Sequence, residues 1–155
     1  MAGLVGSEMC IRDRCKDLKK TVLCTSMLEI IDKTFDDDTP DKKTYKTLAT
    51  IMKYFNNFDT NLNNAFYYFL LHFLKNSGYD ILNAKEHPII IRFKRENLNI
   101  LGDLNNIFDM NFNQPEQITE KTNYDKKIMT QFMSELVKYH FPDAKSFKVA
   151  KDLFS

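Results

Sequence analysis

Three histidines, three cysteines and one run of carboxylates are the side chains of this sequence with chemistry to offer. His72 stands between Leu71 and Phe73 in an apolar stretch, His87 precedes Pro88, and His140 precedes Phe141-Pro142. A structural zinc site needs four Cys or His ligands in close pairs, and no histidine here has such a neighbour in the sequence. His72 is expected to be packed or at the rim of a core, and His87 to lie in a turn. His140 is expected to end a helix, where a cation suits the macrodipole. Cys10, Cys15 and Cys24 form no C-x-x-C pair, and an odd count without a framework points to a reducing compartment. Asp36, Asp37 and Asp38 could hold a hard cation, but their flanks lack the spaced oxygen ligands and glycine of a calcium loop. A solvated helix end is the favoured reading. Nucleophile-elbow, phosphate-loop, dinucleotide-fold and metalloprotease motifs are all absent from the sequence. The expectation is a chain that is not an enzyme, with no catalytic residue, no cofactor and no metal.

Cations are the remaining candidates. Arg92, Lys94 and Arg95 cluster in the middle of the chain, and Lys145, Lys148 and Lys151 recur near its end. Either group could contact phosphates or an acidic peptide, and either could be ordinary surface. The formal net charge of +1 gives no global steering toward polyanions. The segment 121–155 carries seven Lys against four acids, for which a solvated helix face is favoured over a binding patch.

The elements that must carry these residues read mainly as helices. Four Gly and four Pro in 155 residues are too few for a turn-rich sandwich or barrel. A first helix is predicted over about 17–35, with Leu18, Val22, Leu28, Ile31 and Phe35 on its stripe and Leu23, Met27 and Ile30 widening it. A second is predicted over about 40–56, after Thr39-Pro40, with Tyr45, Leu48, Ala49, Met52 and Phe55 inward. The third has Leu62, Ala65, Phe66, Phe69, Leu70, Phe73 and Leu74 on one face, capped by Asp59 or Thr60 and closed by Gly78. Tyr67, Tyr68 and Leu71 make it apolar almost all round, the mark of a central bundle helix. Stacking of bases on its rings would need interleaved cations, and core is the favoured role.

After it, Pro88-Ile89-Ile90-Ile91-Arg92-Phe93 and Leu98-Asn99-Ile100-Leu101 suggest a small β-hairpin. Leu104, Ile107 and Phe108 suggest a short helical turn, and 111–123 a loop. A fourth long helix is predicted over about 123–140 with Met129, Phe132, Met133, Leu136 and Val137 inward. A short last helix carries Phe147, Ala150, Leu153 and Phe154. No apolar run reaches the roughly 18–20 residues that span a bilayer, so a soluble, cytoplasmic chain is expected.

The start stands apart. Residues 4–14 read L-V-G-S-E-M-C-I-R-D-R, similar to the direct translation of a transposase-based sequencing adapter. Residues 1–14 are therefore taken as artefactual, or else as a disordered N-terminus, and 15–155 as a single helical domain. On the adapter reading the gene continues upstream and the chain is a C-terminal fragment.

Three stretches together resemble the bacterial recombination mediator RecO, in its helical C-terminal part. They are Leu28-Glu29-Ile30-Ile31-Asp32-Lys33, then Phe69-Leu70-Leu71-His72-Phe73-Leu74-Lys75-Asn76-Ser77-Gly78-Tyr79, then 139–146 with its Lys145-Ser146 before a last helix. The resemblance extends over about 17–154. It implies a helical domain that follows an N-terminal OB-fold, which is absent here. It further implies a non-enzymatic DNA-repair role in RecF-pathway recombination. The implied partners are a RecR-like protein, the acidic C-terminal tail of single-stranded DNA-binding protein, and DNA, bound weakly without the OB-fold. Many members carry a four-cysteine zinc module just after Gly-Tyr. Residues 80–102 contain no Cys, so no zinc is expected, and the hairpin is read as the remnant of that module. The partner-binding candidates under this reading are Arg92, Lys94, Arg95, Lys145 and Lys148. The other reading, a helical structural subunit of a larger assembly, would show an exposed apolar face on the third helix.

Overall fold

The structure, a computed structural model, describes residues 7–34, 42–118 and 123–147, with side chains from Asp17 onward except that of Gln117. Its helices are α1 (Ser7–Thr34), α2 (Lys42–Asn57), α3 (Leu62–Asn76), α4 (Pro88–Glu96), α5 (Ile100–Phe108) and α6 (Lys126–His140), with a 3-10 turn at Pro115–Gln117. Among the described residues there is no strand, and no helix is long and apolar enough to cross a membrane. The acidic run 36–38, Thr39-Pro40 and residues 148–155, including the expected last helix beyond Phe147, lie outside the described residues.

α3 is central, as its apolar circumference predicts. It packs on α1, α2 and α5, while α4 packs on α5 and α6. Phe66, Phe69, Leu70, Phe73 and Leu74 are buried in one cluster with Leu23, Met27, Ile51, Ile90, Phe93, Leu104, Phe132 and Leu136 from the surrounding helices. Ring geometry fixes the packing: Phe69 stacks on Phe73 at 5.6 Å, and Phe93 meets Phe132 edge-on at 5.3 Å. Each buried ring of this kind stabilises the fold by about 1.5–3 kcal/mol relative to an exposed one.

Two stripes are rotated from their expected positions. On α1, Leu18 and Leu28 are exposed, and the buried line is Leu23, Met27, Ile30 and Ile31. On α2, Tyr45 and Ala49 face solvent and Thr44, Ile51, Tyr54 and Phe55 are buried. Tyr54 accounts for part of this rotation. Its hydroxyl donates to the Thr60 carbonyl (2.6 Å), and its ring lies between Phe58 and Phe112. The inward set predicted for the last long helix, Met129, Phe132, Met133, Leu136 and Val137, is the buried set of α6.

The β-hairpin of 88–101 is overturned: this segment forms α4, a short turn and the start of α5. Three consecutive isoleucines favour a strand locally, but Pro88 occupies the first helical turn and the His87 side chain caps it. Ile89, Ile90 and Phe93 then fall on one helical face against the core, and burial outweighs the β-propensity of the isoleucines.

α3 also begins differently from expectation. Its N-cap is Asn61, in the left-handed region at φ 55° and without a side-chain cap bond, and not Asp59 or Thr60. Its end is as read: Gly78 sits at φ 97°, with Gly78 N–H donating to the Lys75 carbonyl (3.1 Å) and Tyr79 N–H to the Leu74 carbonyl (2.7 Å). This is a Schellman closure, which needs a residue without a Cβ penalty. Gly102 is the opposite case, inside α5 with open space where a Cβ would go. Gly78→Ala is therefore expected to lower stability by about 1–2 kcal/mol and Gly102→Ala to raise it by about 0.5–1 kcal/mol, read by urea unfolding.

Candidate partner-binding surface

Arg92, Lys94 and Arg95 lie on the outer half of α4, opposite its buried Ile89, Ile90 and Phe93. They fan out and do not cluster: Arg92 and Lys94 are about 200° apart around the helix. Arg92 leans toward α6, where its guanidinium is 3.5 Å from Glu135. Lys94 and Arg95 make no ion pair among the described residues. Arg95 has apolar company instead. Ile91, one turn before it, is 43% exposed, and Leu98, just past the helix, is 84% exposed. Residues 91–98 thus carry two exposed aliphatic side chains and three exposed cations, Arg92 of these being turned toward α6.

Lys145 stands elsewhere, and Lys148 lies outside the described residues. Lys145 is exposed, but its backbone is fixed. Its N–H donates to Glu29 of α1 (2.7 Å), and Ser146 donates to the same carboxylate through its N–H (3.2 Å) and its hydroxyl. Burial raises the Glu29 pKa, and the hydrogen bonds from Ser146 and Lys145 outweigh it, so the carboxyl is held below its ordinary value. Phe147 stacks on Phe66 of α3 at 5.2 Å just beyond this clasp. Two of the stretches that resemble RecO, 28–33 and 139–146, thus meet through Glu29. The role of Lys145-Ser146 seen here is structural: a carboxylate from one helix caps the start of a segment 116 residues later.

The histidines are only partly where the sequence put them. His72 is half-buried at the rim, stacked on Phe108 at 3.9 Å, with its Nε2 3.0 Å from the Phe108 carbonyl. Burial lowers its pKa and Lys75 adds to this, against the raising effect of that carbonyl, so the ring is neutral and donates. His87 and His140, 53 residues apart, are brought together with their Nε2 atoms 3.1 Å apart, a contact that sequence spacing does not reveal. His140 does not carry the cation expected at a helix end. Burial first, and His87 second, push its pKa down to about 4. Among the described residues no three His, Cys, Asp or Glu side chains group as a metal site. Cys24 packs half-buried at the core edge, its Sγ 3.3 Å from the Met52 sulfur, and burial raises its pKa. The side chains of Cys10 and Cys15 are outside the described set.

The Glu29 clasp has a measurable consequence. A carboxyl with a lowered folded pKa contributes stability that is full above its unfolded value, near 4.5, and is lost as pH falls through the folded value. Glu29→Ala is expected to cost about 1–2 kcal/mol at pH 7, the range for a lost cap, with the difference shrinking below pH ~4 in chemical-denaturation curves.

A family model described as "Recombination protein O C terminal" matches residues 15–82. The match takes in the described α1 from residue 15, α2, α3 and the Gly78-Tyr79 closure; α4 to α6, and with them the 139–146 stretch, lie beyond it. No curated protein and no solved structure matched the chain. Residues 15–82, somewhat under half of the chain, are thus similar to the C-terminal part of recombination protein O.

Proposed function

We propose that this chain is a docking body of a RecO-type recombination mediator, acting in DNA repair by holding partners and not by making or breaking bonds. The observation that carries the reading is the α4 strip: exposed Ile91 and Leu98 beside Arg92, Lys94 and Arg95. An acidic peptide with an apolar end requires this combination, an aliphatic seat for its end residue and cations for its carboxylates. The acidic tail of single-stranded DNA-binding protein has that chemistry and is the partner assigned to the strip. Lys145 and Lys148 are assigned a secondary, long-range electrostatic part. Contact with a RecR-like protein, weak DNA binding and a bacterial cytoplasmic location complete the reading. The family match supports its repair context. An exposed apolar face on α3 would favour the alternative of a structural subunit, and the apolar side chains of that helix are buried or partly buried.

A fluorescent acidic tail peptide titrated with the full chain tests this. Saturable binding at low salt that weakens as salt rises is expected. Arg95→Glu and Ile91→Asp should each weaken it roughly tenfold or more, while Lys53→Glu on α2 should leave it within about twofold. A folded chain that binds no peptide at low salt, or loses equal affinity in all three variants, overturns the assignment.

A further inference from the structure

The contact between His87 and His140 admits one proton arrangement. His87 Nδ1 accepts the Ile89 N–H at 3.2 Å, the bond that caps α4, so Nδ1 is unprotonated. A neutral His87 therefore holds its proton on Nε2, which lies 3.1 Å from His140 Nε2. His140 Nε2 must then be the acceptor, and its own proton sits on Nδ1. The two rings and one backbone amide form a single chain of donors: Ile89 to His87 to His140.

A second proton cannot enter this chain without breaking a link. Placed on His140 Nε2, it sets two N–H groups face to face. Placed on His87 Nδ1, it removes the acceptor of the Ile89 amide. A tautomer change in His87 that relieves the first conflict creates the second. The surroundings also resist the charge. Tyr79 packs on His140 and Tyr139 on His87, each at 4.8 Å, and Lys33 from α1 and Asp143 from the turn after α6 line the cleft that His140 borders, with opposite charges. Burial lowers the pKa of both histidines, and the neighbouring His87 lowers that of His140 further. A cation on His87 would also stand at the positive end of α4. The same geometry disfavours a metal bridging the pair, because a metal on His87 Nε2 would drive the proton to Nδ1 and cost the same cap.

We propose that His87 and His140 form a proton-operated latch: one added proton uncouples the start of α4 from the end of α6 and loosens the α4 strip. α4 has only nine residues, so its first turn depends on tertiary anchorage and not on intrinsic helicity. The latch sets a regulation of the docking strip and in that respect rests on the function proposed above; the proton arrangement itself does not. By sign, histidines with lowered folded pKa values stabilise the closed state fully above their unfolded value of about 6.5. The His140 contribution is lost as pH falls from there toward about 4, and that of His87, whose pKa burial also lowers, is lost in the same direction.

Three measurements on the full chain test it. Imidazole 15N spectra at pH 7.5 should show His87 protonated at Nε2 and His140 at Nδ1; the opposite tautomer in His87 overturns the latch. Amide exchange, corrected for the intrinsic pH dependence, should quicken about fivefold or more at Ile89–Ile91 between pH 7 and pH 5, while the α3 amides hold. His87→Asn keeps a capping acceptor and removes the pair, so its α4 exchange should not change over that range. Equal quickening in wild type and His87→Asn overturns the latch. Tail-peptide affinity should fall over the same range in wild type and to a smaller extent in His87→Asn. If no peptide binds at pH 7.5, the docking assignment fails and the exchange data alone decide the latch.

Discussion

Ten of the 15 residues of α3 are buried, and they cover all of the helix but the side that carries Tyr68, His72 and Lys75. A helix of this kind cannot rest on a single partner face; water must be excluded from most of its circumference. That requirement organises the rest of the fold. α1, α2 and α5 lie directly against it, and the segment after α6 closes over it through Phe141, near Phe73, and Phe147, stacked on Phe66. α4 and α6 form an outer pair joined by Phe93 and Phe132, and α4 carries the three candidate cations with exposed Ile91 among them. The division is between an inner helix that tolerates little and an outer pair with freedom to present chemistry.

How much of this could be read beforehand follows from how local each signal is. α3 and α6 were legible because their apolar spacing, and for α3 the closing glycine, all agree within one element. The stripes of α1 and α2 were legible as helices but not in rotation. Both helices have apolar residues on more than one side, and which side turns inward is decided by α3. Tyr54 shows this, a polar-tipped ring drawn inward by Thr60, Phe58 and Phe112. The three isoleucines of 89–91 misled because their β-propensity is a local statistic. The deciding facts were a histidine acting as an N-cap, outside the usual set of Ser, Thr, Asp and Asn, and a core that accepts Ile89, Ile90 and Phe93 together.

The candidate surface was half legible. The three cations of α4 stand out in the sequence, but their value depends on exposed neighbours. Ile91 falls one turn before Arg95 only because the segment is helical and not a hairpin. The Lys145-Ser146 pair stands out in the sequence, but its contact with Glu29 does not, because no periodicity links residues more than a hundred positions apart. The two histidines in contact were hidden for the same reason, being 53 residues apart with one of them in a turn.

The Glu29 clasp bears on how the chain reaches its native state. Its donors are 116 and 117 residues downstream of the carboxylate, so α1 emerges during synthesis long before its capping partner exists. Closing a loop of that length carries an entropic cost that must be met before the contact returns anything, which places it late in folding. Within the stretch that the family model matches, 15–82, Glu29 and Phe66 thus meet partners that lie far downstream in the chain. A nascent chain halted before Lys145 would hold α1 with a bare carboxylate and leave the Phe66 ring without the Phe147 stack, a surface that chaperones would detect.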